Sequence, residues 1–450
     1  MGCLDTEIEL KCGLFPGEHV NADNTTGEAP VQGSRLRRQL GRLRRQINPK
    51  QTFTSLRHPN YRLWFWGQMV SLFGTWMQTT AQAFLVYDLT RSSAYLGFVG
   101  FAAGAPTWLF MAYGGVVADR VRRRKLLLVT QSLMMVLAFI LSALTFLHVV
   151  RPWHIIILAF LLGVANAFDA PARHSFVPEM VDREDLTNAI ALNSTIFNSA
   201  TAVGPAVAGI TYALFGPAWC FLINGLSFIA VIVALGLMKL RPLPLPESVS
   251  SPWQDLKEGF RYVLSHPIIR AIVALVMVTS LFGTSFAVLI PAWAVEILHG
   301  NATTNGWLQS ARGIGALCGA LLIASLGRFT FRGRMLTLGT FSFPVLLVVF
   351  SLIRWLPFSL ALIFGVGAAN LLIFNLANAL VQTQVTDSLR GRVMGLYSLT
   401  FFGFLPIGAL WIGQMADRFS EPLALVTNAL IMFFSAALIW LLVPKLRTLS

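Results

Sequence analysis

Polar side chains recur at helical spacing inside the first long apolar segment of this 450-residue chain. Gln68, Ser71, Thr75, Gln78 and Gln82 follow one another at intervals of three and four residues, so a helix places them on one face. A continuous polar face inside an apolar span avoids lipid. We therefore predict that these side chains line a cavity. The alternative is that each bonds to a neighbouring helix and only holds the bundle together.

A second polar set repeats along the chain. Its members recur 209 residues apart, Asn166, Asp169 and Arg173 matching Asn375, Asn378 and Gln382. The asparagines are candidates for lining the same cavity and for contacting a substrate. Asp169 and Arg173 are four residues apart and can pair on one helix face. We interpret them as a gate pair, with a proton-carrying role for Asp169 as the alternative.

Arg312 is the only basic residue that falls deep inside a predicted span. Small residues follow it at three, four and seven positions, namely Gly315, Ala316 and Gly319. This face suits contact with protein rather than lipid, and an arginine there needs an anionic or carbonyl partner. One hypothesis is a structural pair with Glu296 or Asp88. The other is that Arg312 faces the cavity, where it binds an acidic substrate group or biases the protonation of a carboxylate.

Motifs of known catalytic chemistry are absent from the sequence. It contains no phosphate-binding loop with its lysine, no HExxH and no GxSxG. The four cysteines, Cys3, Cys12, Cys220 and Cys318, have neither metal-site nor disulfide spacing. We therefore expect a protein that is not an enzyme and that uses no cofactor or metal. Any uphill transport would depend on an ion gradient or a partner.

The composition indicates which kind of secondary structure holds these residues. The chain is 55% hydrophobic and only 12% charged, with a mean hydropathy of +0.66, which is too apolar for a soluble domain of this size. A helix of about 20 apolar residues crosses the hydrocarbon core. We predict an all-α membrane protein with twelve spans at 61–87, 94–118, 125–148, 153–174, 187–214, 218–239, 270–297, 304–326, 334–355, 357–384, 390–415 and 420–443.

The net charge of +14 reflects topology rather than nucleic-acid binding. With the N-terminus inside, 29 of the 34 Lys and Arg residues fall on the cytoplasmic side; those placed outside are Arg91, Arg151, Arg354 and Arg418. This asymmetry follows the positive-inside rule. Both termini are therefore predicted to be cytoplasmic.

Five regions follow from this pattern. Residues 1–54 form a polar cytoplasmic tail that we expect to be largely disordered, with a basic amphipathic stretch at 35–50 suited to an anionic membrane surface. Residues 55–240 form a first six-helix bundle and residues 268–444 a second. The polar, proline-containing segment 241–267 is a predicted central cytoplasmic loop, and residues 445–450 are a short cytoplasmic tail.

A glycine and charge motif lies between the second and third predicted spans. The run is GGVVADRVRRRKL, residues 114–126. It resembles the signature loop of the major facilitator superfamily, GxxxDRxGRR, at Gly115, Asp119, Arg120, Arg123 and Arg124, while an arginine stands where the second glycine normally does. Physically, Asp119 can accept bonds from a neighbouring helix N-terminus, and the arginines can pair across a gate. The alternative is a basic loop that only sets topology.

The fifth predicted span carries a second match. AVGPAVAG, residues 202–209, resembles the helix-5 motif of exporters in that superfamily at Gly204, Pro205 and Gly209, with an incomplete final glycine pair. The arginine of the exporter helix-4 motif is missing, since Ala159 stands near its place. The small residues permit close helix contact, so a packing role is the alternative.

The run 168–209 is similar to the transmembrane secretion effector branch, which contains the enterobactin exporter and the macrolide efflux proteins. The resemblance implies two six-helix repeats, with spans 1, 4, 7 and 10 around a central cavity. It also implies export of amphipathic small molecules by alternating access, commonly with proton antiport, by a functional monomer in the bacterial inner membrane. An importer or facilitator, and a membrane sensor or scaffold, remain the alternatives.

Overall fold

The computed structural model describes residues 53–240, 252–326 and 331–449. The predictions for the N-terminal tail and its basic stretch lie outside the described residues, as does the prediction for residues 241–251. The described chain contains twelve long helices, numbered here in order: α1 Pro59–Thr90, α2 Ser93–Arg120, α3 Arg123–Phe146, α4 Pro152–Phe176, α5 Leu186–Phe215, α6 Pro217–Leu237, α7 Pro267–Ile297, α8 Ala302–Leu326, α9 Arg332–Leu352, α10 Leu356–Gln384, α11 Asp387–Arg418 and α12 Glu421–Leu442.

All twelve helices are long enough to cross a membrane. Ten of them are also clearly apolar, the exceptions being α1 and α5. These two have 32 and 30 residues, more than the roughly 20 that a span requires. Their lower hydropathy comes from internal polar residues, including the stripe predicted to line a cavity. The chain is a multi-pass α-helical membrane protein with twelve spans.

Proline sets several of the helix starts. Pro59, Pro152, Pro217 and Pro267 each occupy the first position of a helix, where the missing N–H costs nothing. Apart from the longer segment between α6 and α7, the connections are short, and consecutive helices run in opposite directions. We call the two ends of the bundle the α1–α2 end, which also holds the α7–α8 and α11–α12 loops, and the α2–α3 end.

The two halves repeat the same packing. In the first half α2 packs on α4, and α3 packs on α4 and α6; in the second, α8 packs on α10, and α9 packs on α10 and α12. Each half also has its own apolar core. One cluster, from Tyr61 to Met238, belongs to the first half, and another, from Val263 to Leu446, belongs to the second. These are two six-helix pseudo-repeats.

Helix α7 is irregular in its second half. After Val278 it passes through a π-helical turn, Thr279–Gly283, a 3₁₀ segment, Thr284–Leu289, and a second π-helical turn, Trp293–Ile297. Pro291 contributes to this because it has no N–H to donate to the preceding turn. Such irregular turns often mark places where a helix bends during function.

The predicted central loop contains a helix that the sequence interpretation missed. This linker helix, Pro252–Ser265, packs on α11, where a Cβ on Gly259 would lie 2.8 Å from the carbonyl oxygen of Arg392. Glu258 forms an ion pair with Arg392. The available signal was apolar residues at helical spacing, such as Phe260 and Val263, which the many prolines just before them obscured.

Asp185 anchors the segment before α1 to the start of α5. Its carboxylate lies 2.8 Å from Nε2 of His58 and 2.7 Å from the guanidinium of Arg57. Its backbone oxygen accepts a hydrogen bond from Ser55 at 2.9 Å. The hydrogen bond from His58, aided by the charge of Arg57, holds the pKa of Asp185 below its ordinary value despite the opposing effect of burial.

Asp185→Asn is expected to lower the thermal unfolding temperature by a few degrees at neutral pH. Because the folded-state pKa is lowered, the ionised carboxylate stabilises the fold above its unfolded-state pKa of about 3.9. That stabilisation is lost as the pH falls through the lowered folded-state pKa of Asp185. The difference in unfolding temperature between the variant and the wild type should therefore shrink in this pH range. Thermal unfolding of the purified chain across this range tests it, with exposed Glu184→Gln as control. A difference independent of pH would contradict the ionic explanation.

Candidate functional site

The two halves meet along two helix pairs, α2 with α11 and α5 with α8. Glycines permit the close approach. A Cβ on Gly97 of α2 would lie 2.8 Å from the carbonyl oxygen of Ala409 in α11, and one on Gly209 of α5 would lie 2.6 Å from that of Ala302 in α8. These positions lie toward the α1–α2 end. A larger side chain at either glycine would therefore separate the halves at this end.

Hydrogen bonds between polar side chains also join the two halves at the α1–α2 end. We call the set the α1–α2 latch, and its side chains are Tyr87, Ser92, Ser93, Glu296, Asp417 and Glu421. Ser92 donates to Asp417 at 2.6 Å, Ser93 to Glu421 at 3.0 Å and Tyr87 to Glu296 at 2.8 Å. The sequence interpretation found none of these pairs, and it considered Glu296 only as a partner of Arg312, because nothing in local spacing indicates which loop of one half meets which loop of the other.

The predicted gating loop lies at the opposite end and is more open. The Asp119 side chain is 46% exposed, and its cationic neighbour is Arg123, the first residue of α3, at 3.8 Å. Arg123 in turn donates to Glu179 at 2.6 Å, a partner that sequence reasoning did not find. Arg124 donates to the carbonyl of Gly236 at 2.8 Å. These contacts all lie within the first half.

The glycine that allows close packing in this loop is Gly114 rather than Gly115. A Cβ at Gly114 would overlap the carbonyl group of Ala167 in α4, whereas a Cβ at Gly115 would meet no atom within 4 Å. Arg120, the last residue of α2, is exposed. Gly115 therefore has open space beside it in this conformation.

Asp169 is the centre of a buried polar network. It is fully buried and accepts hydrogen bonds from Thr130 and Gln131 of α3, each at 2.8 Å. Its second oxygen pairs with Arg173 one turn later, as their spacing predicts. The α3 partners were not found from the sequence. With both oxygens bonded, the carboxylate joins α3 to α4 near the α2–α3 end.

The polar stripe of α1 is buried within the first half. Gln68, Ser71, Gln78 and Gln82 are all less than 9% exposed, and Thr75 is partly exposed. Gln78 accepts a hydrogen bond from Asn224 of α6 at 2.7 Å. At this position the structure favours the alternative of a bond between helices. The amide nitrogen of Gln68 is buried and has no partner within the described residues.

The repeated asparagines are more accessible. Asn166 of α4 is partly exposed, and Asn375 of α10 is exposed although it lies in the interior of a span. Asn378 is partly exposed and accepts a bond from Gln382 at 2.6 Å. Amide groups that remain accessible at equivalent positions of two repeats are suited to binding a polar part of a substrate.

Helix α8 packs between α5 and α10 at the level of Arg312. The backbone of Arg312 contacts Gly367 of α10, and the next residue, Gly313, contacts the backbone of Thr201 in α5. Neither of the ion pairs considered for Arg312 is formed in this structure. Glu296 bonds to Tyr87 in the latch, and Asp88 pairs with Arg91 at 3.1 Å. Both carboxylates lie at the α1–α2 end, whereas Arg312 lies more than two turns into α8.

The helix-5 motif is a packing surface shared by two helices. Gly204 faces α1, where its Cβ would lie 2.8 Å from that of Trp76. Pro205 and Gly209 face α8, and a Cβ on Gly306 would lie 2.5 Å from the Pro205 carbonyl oxygen. The motif therefore lies where the two halves meet.

Two six-helix repeats that meet along α2 with α11 and α5 with α8 form the arrangement of the major facilitator fold. Solved structures agree on the fold. A D-xylose–proton symporter matches with a TM-score of 0.67 at 12% identity, covering 86% of this chain and 99% of that one. A bacterial homolog of the human lysosomal transporter Spinster, inward-facing and unoccupied, has a TM-score of 0.67 at 13% identity, covering 86% and 98%.

The model of the transmembrane secretion effector family matches residues 50–449, and the chain belongs to that family. A staphyloferrin A transporter of Staphylococcus aureus is 26% identical over 80% of this chain and 90% of its own length. An enterobactin exporter of Citrobacter koseri is 27% identical, covering 87% and 93%. A multidrug efflux pump, Tap, of Mycolicibacterium fortuitum is 26% identical, covering 84% and 94%. The chain is therefore a multi-pass membrane transporter of the major facilitator superfamily.

Proposed function

We propose that this transporter is a secondary active exporter of small amphipathic molecules, either drug-like or siderophore-like, working by alternating access with proton antiport. The observation that carries the proposal is the asymmetry of the interface between the halves. Glycine contacts and the latch join them at the α1–α2 end. At the other end the side chain of Asp119 in the gating loop is 46% exposed, and a Cβ on Gly115 would meet no atom within 4 Å. The named relatives support siderophores and drugs as the substrate class.

The distribution of Lys and Arg indicates which end of the bundle faces the cytoplasm. Because Lys and Arg concentrate at the α2–α3 end, we propose that this end and both termini are cytoplasmic, in the bacterial inner membrane. The conformation is then inward-facing, with the latch closing the outer side. We propose that the protein functions as a monomer, without a cofactor and without nucleic acid.

The site residues take separate roles in this proposal. Asn166, Asn375, Asn378 and Arg312 contact the substrate in the cavity. The stripe of Gln68, Ser71, Thr75, Gln78 and Gln82 lies beside it, with Thr75 as its partly exposed member in this conformation. Pro205 and Gly209 form the surface on which α5 moves against α8, and Gly204 keeps α5 close to α1. We propose Asp169 and Arg173 as a gate pair rather than a proton site, since protonation of Asp169 would weaken the bonds that join α3 to α4.

Uptake by the same fold, and sensing without turnover, are the competing functions. A panel of fluorescent drugs and siderophores, measured for accumulation in efflux-deficient cells with and without an uncoupler, separates them. Export predicts lower accumulation that the uncoupler abolishes. Higher accumulation would indicate an importer or facilitator, and no change for any compound would favour a sensor or scaffold.

Asp119→Asn is expected to reduce export several-fold without loss of membrane insertion. Its carboxylate is free to contact the second half when the α2–α3 end closes, and its present neighbour Arg123 keeps Glu179 as a partner. Accumulation assays at matched expression test this, with Asp182→Asn, 79% exposed at the same end, as control. Wild-type flux in Asp119→Asn would leave the loop with a topological role only.

A further inference from the structure

A groove lies on the outer surface of the first half, between α1 and α6. Its volume is about 430 Å³, and apolar residues line it, including Trp66, Val70, Val233 and Leu237, each between 47% and 62% exposed. Gly67 forms part of its floor, where a Cβ would lie 3.2 Å from the Ala230 carbonyl oxygen. The volume is in the range of about 300–1,000 Å³ that is typical of small-molecule sites.

Three basic residues lie at or near one end of the groove. Arg62, one turn before Trp66, lines it directly and is exposed. Exposed Lys239 lies just beyond the other wall, where its backbone exchanges two hydrogen bonds with Asn60, at 3.0 and 3.1 Å. Arg124 donates to the carbonyl of Gly236, next to Leu237. Within the described residues, the guanidinium of Arg62 has no carboxylate partner.

We propose that this groove binds one anionic phospholipid from the leaflet at the α2–α3 end. An acyl chain would occupy the apolar part between α1 and α6, and the phosphate would lie among Arg62, Lys239 and Arg124. Both parts are needed, because an apolar groove alone would take any lipid and a basic surface alone would attract any anion. Basic pockets between transmembrane helices, on the side where Lys and Arg concentrate, are suited to anionic headgroups. The proposal does not depend on the transported substrate.

Brominated phosphatidylglycerol provides the test, since bromine quenches an adjacent indole and Trp66 lines the groove. The full chain is reconstituted in phosphatidylcholine with increasing fractions of brominated phosphatidylglycerol or brominated phosphatidylcholine. The difference between wild type and Trp66→Phe isolates the Trp66 signal. We expect phosphatidylglycerol to reach Trp66 with a preference of about fivefold or more over phosphatidylcholine.

Charge-removing variants test whether the basic residues cause this lipid preference. In Arg62→Gln combined with Lys239→Gln, the preference for phosphatidylglycerol over phosphatidylcholine should fall to near unity. The matched control, Arg334→Gln combined with Lys257→Gln, removes two exposed charges at the same end of the second half and should keep it. Single Arg62→Gln gives an independent measurement if the double variant expresses poorly, and it should weaken the preference.

Four results would overturn the proposal. These are equal quenching by the two lipids in wild type, a preference that persists in the double variant, an equal loss in the control, and a preference that appears only after deletion of residues 1–52. An equal loss in the control would indicate that general surface charge attracts the lipid. The fourth would indicate that the chain's own N-terminal segment, rather than lipid, occupies the groove.

Discussion

Arg312→Ala is expected to lose export by at least about tenfold while the protein still reaches the membrane. Hydrogen bonds to a charged group contribute about 1.5–3 kcal/mol, which corresponds to roughly ten- to hundredfold in binding. The contacts of its backbone with Gly367, and of Gly313 with Thr201, fix the position of Arg312 between α10 and α5. Its side chain is only partly buried and has no carboxylate partner within the described residues.

Membrane insertion should not suffer in this variant. Removing an intramembrane charge makes the helix easier to insert, and no partner in the described part of the chain is left unpaired. Arg312→Lys keeps the charge but not the planar fork, so it should retain more export than alanine and less than arginine. The measurement is substrate efflux at matched membrane levels.

Arg334→Ala, exposed in the first turn of α9, is the control for loss of an arginine. It should export at the wild-type rate. If Arg312→Ala also exports every identified substrate at that rate, Arg312 has no role in transport.

Gly413→Leu is expected to abolish transport by preventing closure of the α1–α2 end. A Cβ at this position would lie 2.7 Å from the carbonyl oxygen of Ser93 and 2.8 Å from the Cα of Gly97. These are backbone atoms that cannot move aside without moving α2. The larger side chain would therefore separate α2 from α11 and break the nearby bond of Ser92 to Asp417.

Gly395→Leu is the matched control, because it lies in the same helix and its Cβ would meet no atom within 4 Å. A cysteine placed at Ser92 in a background without native cysteines should react with an impermeant maleimide faster in Gly413→Leu than in Gly395→Leu. Export should fall at least about tenfold only in Gly413→Leu. Equal labelling and equal export in the two variants would contradict the assignment of this contact as a gate.

The sequence by itself determined the properties that depend on short stretches of chain. A span requires only length and hydropathy, so the twelve helices and the two halves could be predicted before any contact was known. The pairing of Asp169 with Arg173 follows from their i,i+4 spacing. The gating loop and the helix-5 motif were likewise recognisable as contiguous residues.

The tertiary structure decided which helix faces each side chain meets, because the rotation and packing of a helix depend on neighbours distant in sequence. Gln78 has Asn224 as its partner, 146 residues away, rather than the cavity. Glu296 pairs with Tyr87, 209 residues away, so it is not available to Arg312. Gly114 rather than Gly115 packs against α4, a difference of one residue that only the helix orientation determines. The latch and the α1–α6 groove exist only after such packing, since each joins segments that no local pattern connects.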